Sequence, residues 1–141
     1  MKIESLRLKN FKTFCDAEMT DIPRFCVLVG ANGTGKSTIF SLFGFLKDAL
    51  AGNIQTALMK MGGSRGFREV RSRGADGPIE IELKFREKAE SPLITYLLVI
   101  NEDQNGRAFI EHEILQYRRG SRGKPWRFLD FANGKGRIAR C

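Results

Sequence analysis

RFCVLVGANGTGKST, residues 24–38, is the stretch on which the reading of this chain turns. Its first half is a continuous apolar run of β-branched and aromatic residues ending in Gly30, the pattern of a strand buried on both faces. Its second half fits G-x-x-x-x-G-K-[ST] at Gly30, Gly35, Lys36 and Ser37, the Walker A pattern. Glycines let the backbone wrap closely enough for successive N–H groups to converge on phosphate oxygens. The helix expected after the loop turns its positive dipole end toward the same anion. Ala31, Asn32, Gly33 and Thr34 fill out the cradle. Lys36 supplies a mobile cation for the β- and γ-phosphates and is the catalytic candidate. The Ser37 hydroxyl is a hard oxygen suited to Mg²⁺, and Thr38 adds a donor near the α- or β-phosphate. With a buried strand entering the loop and a helix leaving it, the expected ligand is a nucleotide.

Upstream, KIESLRLKNF alternates imperfectly and reads as a strand, with FCDAEMT as a partner strand. Downstream, KSTIFSLFGFLKDAL carries apolar residues too widely spread for one helical face, so a helix largely surrounded by protein is expected. Gly44 within it weakens the helix unless something packs closely there. NIQTALMKM continues as a second helix capped by Asn53. GGSRG at 62–66 breaks the pattern, and FREVRSRGADGP is basic and then turn-like.

The period then becomes two. PIEIELKFRE sets Ile79, Ile81, Leu83 and Phe85 on one face against Glu80, Glu82, Lys84 and Arg86 on the other. LITYLLVIN and RAFIEHEILQY follow, with Asn105-Gly106 as a hairpin signal between them. PWRFLDF is a last short strand, and the tail has little to bury. The expected organisation is one lobe over 1–141: strands, loop and helices in 1–61, an antiparallel β annex in 78–131, and a tail at 132–141. The fold class is α/β, with a mixed sheet.

Composition narrows the function classes. With 141 residues, 42% of them hydrophobic and 28% charged, the chain is an ordinary globular one. No apolar run approaches the roughly 20 residues that span a bilayer, so no membrane partner and a cytoplasmic location are expected. Cys15, Cys26 and Cys141 are an odd set without a CxxC pair, which argues against a disulfide framework and a zinc site. His112 has no metal-ligand partners nearby in sequence. The net charge of +8 favours polyanionic partners, among which DNA is a candidate.

Residues 1 to about 131 resemble the N-terminal lobe of an ABC-type ATPase head of the RecF- and SMC-like group, P-loop NTPases often labelled AAA family ATPases. GANGTGKST, with Asn32-Gly33, carries the resemblance, together with LRLKNFKTF, similar to the opening x-x-N-F-[KR]-x-F strand of such heads. The resemblance implies ATP and Mg²⁺ as ligands, and Lys12 beside the ribose or base. It implies a functional arginine loop at Arg68, Arg71 and Arg73, which touches DNA or tunes hydrolysis. It also implies a partner, either a second head or a C-terminal lobe, because ATP in this group is sandwiched between two heads.

Hydrolysis in such heads needs a Walker B strand, four apolar residues followed by Asp-Glu. LLVINED at 97–103 imitates it, but Asn101 stands where the aspartate belongs, and the hairpin context makes it an annex strand. No LSGGQ-like signature, D-loop or switch histidine is present, and Gln116 is a weak candidate for the Q-loop glutamine. On this resemblance the chain is half a head that grips Mg-ATP with little turnover of its own. Two rivals stand beside it: a small P-loop kinase, and a non-catalytic nucleic-acid-binding module. The module would track phosphates with basic loops at 65–73 and 118–127 and stack bases on Trp126 and Phe128, whereas in the head reading these two rings close the core.

Overall fold

The computed structural model describes residues 1–118, 120 and 122–139. Arg119 and Ser121 of the second basic loop, and Arg140 and Cys141 of the expected tail, lie outside the described residues.

Among the described residues, seven strands form one sheet in the order β2-β1-β3-β4-β5-β6-β7. They are β1 (Lys2–Phe11), β2 (Phe14–Met19), β3 (Ile79–Arg86), β4 (Ile94–Glu102), β5 (Ala108–Tyr117), β6 (Trp126–Ala132) and β7 (Lys135–Ile138). Every pairing is antiparallel. Alternation sets the register. Ile79, Ile81 and Leu83 stand opposite Ile100, Leu98 and Tyr96, while Leu6 and Leu8 stand opposite Leu83 and Ile81. One face of three adjacent strands is thus a continuous apolar patch.

Helices cover that face. α1 (Lys36–Ala51) contributes Leu42, Phe45 and Leu46 to the core, and α2 (Ile54–Gly62) contributes Ala57 and Leu58. A 3₁₀ turn at Gly63–Arg65 leads into the short α3 (Phe67–Val70), whose Phe67 and Val70 close one end of the core. Phe11 is fully buried, with its ring centroid 6.1 Å from that of Phe45. The Asn53 side chain caps α2 by accepting from the Thr56 N–H at 2.8 Å. Asn105-Gly106 lies in the β4–β5 turn, where Asp103 Oδ1 accepts from the N–H groups of Asn105 and Arg107. LLVINED is an antiparallel strand, and Asn101 donates to Glu111 on its neighbour at 2.9 Å.

Three expectations fail. Arg24–Gly30 forms no strand, so the sheet is antiparallel throughout the described residues rather than mixed. Phe25 is 82% exposed and Val29 89%. A run apolar on both faces needs a layer on each face and a hydrogen-bonding neighbour at its edge. Among the described residues, no strand pairs with this one. For the same reason α1 is not surrounded by protein: Phe40 and Leu50 are 67% and 64% exposed, and nothing packs against Gly44. Finally, the expected tail carries β7, which pairs along β6 from Leu129 to Ala132. Its backbone bonds hold it, since its side chains are exposed.

Trp126 and Phe128 do not join the core under the helices. They pack with Tyr117 as a separate half-buried cluster, with ring centroids 5.6 to 6.0 Å apart.

Candidate functional site

The candidate loop runs from Gly30 to the first turn of α1. Gly35 precedes the helix at φ 91° and ψ 6°, a left-handed conformation that disfavours any residue with a Cβ. Space excludes a side chain there as well. A Cβ on Gly35 would lie 2.7 Å from the edge of the Phe14 ring and 3.1 Å from the Thr13 hydroxyl. The loop therefore rests directly on the β1–β2 turn. No side chain caps α1, so its first N–H groups face outward from a helix end.

Inside the loop, Thr34 Oγ1 donates to the Ala31 carbonyl at 2.8 Å. Lys36 curls back over the loop. Its ammonium donates to the carbonyls of Gly30 and Ala31, the latter at 2.6 Å, and to Thr34 Oγ1 at 3.3 Å. A positive charge is held within the concavity by oxygens of the loop's own backbone. Those are partners that an entering anion can replace.

A cleft of about 410 Å³ opens beside this loop, between α1 and α2. Lys12, Ser37, Thr38 and Ser41 line one end, and Asp48 and Lys60, paired at 3.0 Å, line the other. Lys12 thus shares one cleft with Ser37 and Thr38. Among the described residues no group of three or more His, Cys, Asp or Glu side chains gathers to hold a metal. A divalent cation at Ser37 would need most of its oxygens from elsewhere.

The three arginines separate. Arg68 Nε donates to Glu102 at 2.9 Å. Arg71 lies over the Phe67 ring, 5.2 Å from its centroid, and donates to the Gly77 carbonyl at 3.4 Å. Arg73 is exposed, just after Ser72, in a turn closed by the Ala75 N–H on the Ser72 carbonyl. Gln116 lies on β5, two strands beyond the nearest neighbour of β1, and accepts from Arg127 at 3.2 Å.

Residues 1–123 match the AAA ATPase domain family. The chain belongs to that family. A solved SMC ATPase, described for its ATP-driven dimerisation and DNA-stimulated activation, matches with a TM-score of 0.53 at 23% identity. The match covers 86% of this chain and 73% of that one. At that identity the likeness is one of fold. No curated protein matches the chain. No helix among the described residues of this ATPase domain is long and apolar enough to cross a membrane.

Two buried polar residues beside the loop carry no role in the sequence reading, Asn10 and Ser72. Both bond to backbone carbonyls at the β1–β2 turn or the segment beside it. The signals for Asn10 were its place in the x-x-N-F-[KR]-x-F stretch and an asparagine at a strand end, where left-handed backbone is common.

Proposed function

We propose that this ATPase domain grips Mg-ATP in the loop from Gly30 to Thr38 and serves as one lobe of an ABC-type, RecF- and SMC-like head. The observation that carries this reading is the junction at Gly35. There a tight glycine turn delivers an uncapped helix end to the same concavity that holds the Lys36 ammonium. In this reading Lys36 leaves the carbonyls of Gly30 and Ala31 for β- and γ-phosphate oxygens. The N–H groups of Gly33 to Thr38 and the Thr38 hydroxyl take the remaining oxygens, and Lys12 borders the ribose or base. Ser37, phosphate oxygens and water hold Mg²⁺, which neutralises phosphate charge.

Completion comes from a partner, a second head or a C-terminal lobe. The exposed apolar side chains of Phe25, Val27, Val29, Phe40 and Leu50 support this, since so much contiguous apolar sequence calls for a covering layer. The Walker B and signature motifs arrive with that partner, and turnover by this chain alone is very low. DNA enters as a further partner through Arg68 and Arg73, both exposed, Arg68 while paired to Glu102. The small-kinase alternative loses support, because its acceptor carboxylate would sit on parallel strands and every described pairing is antiparallel.

Thermal unfolding with and without Mg-ATP tests the reading. A ligand at a hundred times its Kd stabilises by about 2.7 kcal/mol, a melting shift of roughly 5 to 15 °C for a domain of this size. Wild type is expected to show the shift and Lys36→Ala to lose it. Equal shifts in both chains, or none in either, would remove the loop as the binding site.

A further inference from the structure

The candidate loop is braced from behind by residues outside the glycine-rich loop itself, among them Asn10 of the opening x-x-N-F-[KR]-x-F stretch. Gly35 is buried against Thr13 and Phe14, so the β1–β2 turn sets where the loop meets α1. That turn is itself clamped to the segment after α3. The Lys12 N–H donates to the Val70 carbonyl at 2.7 Å, and the Ser72 N–H donates to the Asn10 carbonyl at 3.1 Å. Phe11 and Arg71 form the bridge between these two bonds.

Two side chains lock the clamp. Ser72 Oγ donates to the Phe14 carbonyl at 3.0 Å, fixing the residue whose ring touches Gly35. Asn10 Nδ2 donates to the Pro78 carbonyl at 2.9 Å and reaches the Asp76 carbonyl at 3.5 Å. Both side chains are buried, so losing either leaves carbonyls without their donor in a place water reaches poorly. Asn10 also sits at φ 55°, which asparagine tolerates better than most residues. The chemistry selects the amide: an aspartate would set a carboxylate against two carbonyl oxygens.

We propose that Asn10 and Ser72 are positioning residues for the Walker A loop. They act through Phe14 on Gly35 and through the backbone of Lys12 on the mouth of the cleft. The bracing is a property of the fold, and its effect on ligand affinity rests on the nucleotide reading above.

The path makes a directional prediction. Loosening the clamp lets the Phe14 ring retreat from Gly35, and the loop then samples arrangements in which its N–H groups no longer converge. Affinity falls by the fraction of time spent outside the competent arrangement. The clamp lies at one end of the sheet, where β1 ends at Phe11 and Pro78 precedes β3, so the middle of β3 and β4 is expected to change less than the loop does.

Asn10→Gly is the informative variant in the full chain, because glycine tolerates the left-handed backbone while removing the side-chain amide. Ser72→Ala removes the hydroxyl, and Ser72→Thr restores it. Two readouts are taken at 25 °C: hydrogen exchange at residues 33–38 without ligand, and the Kd for Mg-ATP by calorimetry. In Asn10→Gly, exchange at 33–38 is expected to rise about tenfold above any change in β3 and β4. The Kd is expected to weaken about tenfold, with about threefold for Ser72→Ala and recovery in Ser72→Thr. Unchanged exchange at 33–38, or a rise shared equally by β3 and β4, would overturn the proposal. So would wild-type affinity in Asn10→Gly. If exchange rises locally but no chain, wild type included, binds Mg-ATP, the bracing stands and the nucleotide reading falls.

Discussion

Two apolar stretches of this chain meet opposite fates. β3 carries apolar residues at alternate positions, and its Ile79 and Ile81 are fully buried under the helices. Residues 25–29, FCVLV, are more hydrophobic throughout, yet Phe25, Val27 and Val29 are exposed and unpaired in any described strand. Hydrophobicity alone does not make a strand. β3 is apolar on one face and needs one covering layer, which α1 and α2 provide, with β1 and β4 at its two edges. A run apolar on both faces needs two layers and a neighbour, and the described chain supplies neither. The outer side of α1, with Phe40 and Leu50, belongs to the same unfinished surface.

Urea unfolding of two phenylalanine variants tests that contrast most severely. Phe11→Ala empties a fully buried site against Phe45 and should cost about 3–5 kcal/mol. Phe25→Ser alters a side chain that touches little and should stay within about 0.5 kcal/mol. A cost at Phe25 approaching that at Phe11 would mean that residues 25–29 are packed in solution, and the contrast would collapse. Asn53→Ala sits between the two. The cap bond to Thr56 holds the start of α2, the helix that covers the sheet, and its loss should cost about 1 kcal/mol. If Asn53→Ala changes nothing, α2 is held by burial of Ala57 and Leu58 alone.

What could be read in the sequence follows the same division. The strands with period two, the Asn53 cap, the Asn105-Gly106 turn and the helix after Lys36 are all specified by neighbours within a few residues, and all appear. The segment 24–30 was misread because its pattern encodes a surrounding layer rather than its own conformation. β7 was missed for the converse reason. KGRI has almost no apolar signal, and its pairing to β6 comes from backbone bonds next to the Asn133-Gly134 turn, where both residues have positive φ. At the candidate site the glycine turn into α1 was legible from Gly35 ahead of Lys36. Its brace was not, because Asn10, although part of the opening x-x-N-F-[KR]-x-F stretch, meets Ser72 across more than 60 residues of chain.

A pH-dependent effect tests how dry the finished side is. Tyr96 lies on β4 opposite Leu83, and its hydroxyl donates to Glu113 on β5 at 2.9 Å. Burial raises its pKa above the ordinary tyrosine value, and the Glu113 charge and hydrogen bond raise it further. A group that ionises less readily when folded contributes stability that is complete below its unfolded pKa of about 10 and is lost as pH rises above it. Between pH 7 and 9, Tyr96→Phe should therefore cost only about 1 kcal/mol, the loss of one hydrogen bond to a carboxylate. Above pH 10 the gap between the two chains should close, because phenylalanine has no proton to surrender on unfolding. The two chains differ at this one side chain, so the difference between their urea midpoints isolates Tyr96. A constant difference from pH 7 to 11 would mean that the Tyr96 hydroxyl is as wet in the native state as in the unfolded one. The sheet beneath the helices would then share the solvent exposure of residues 25–29.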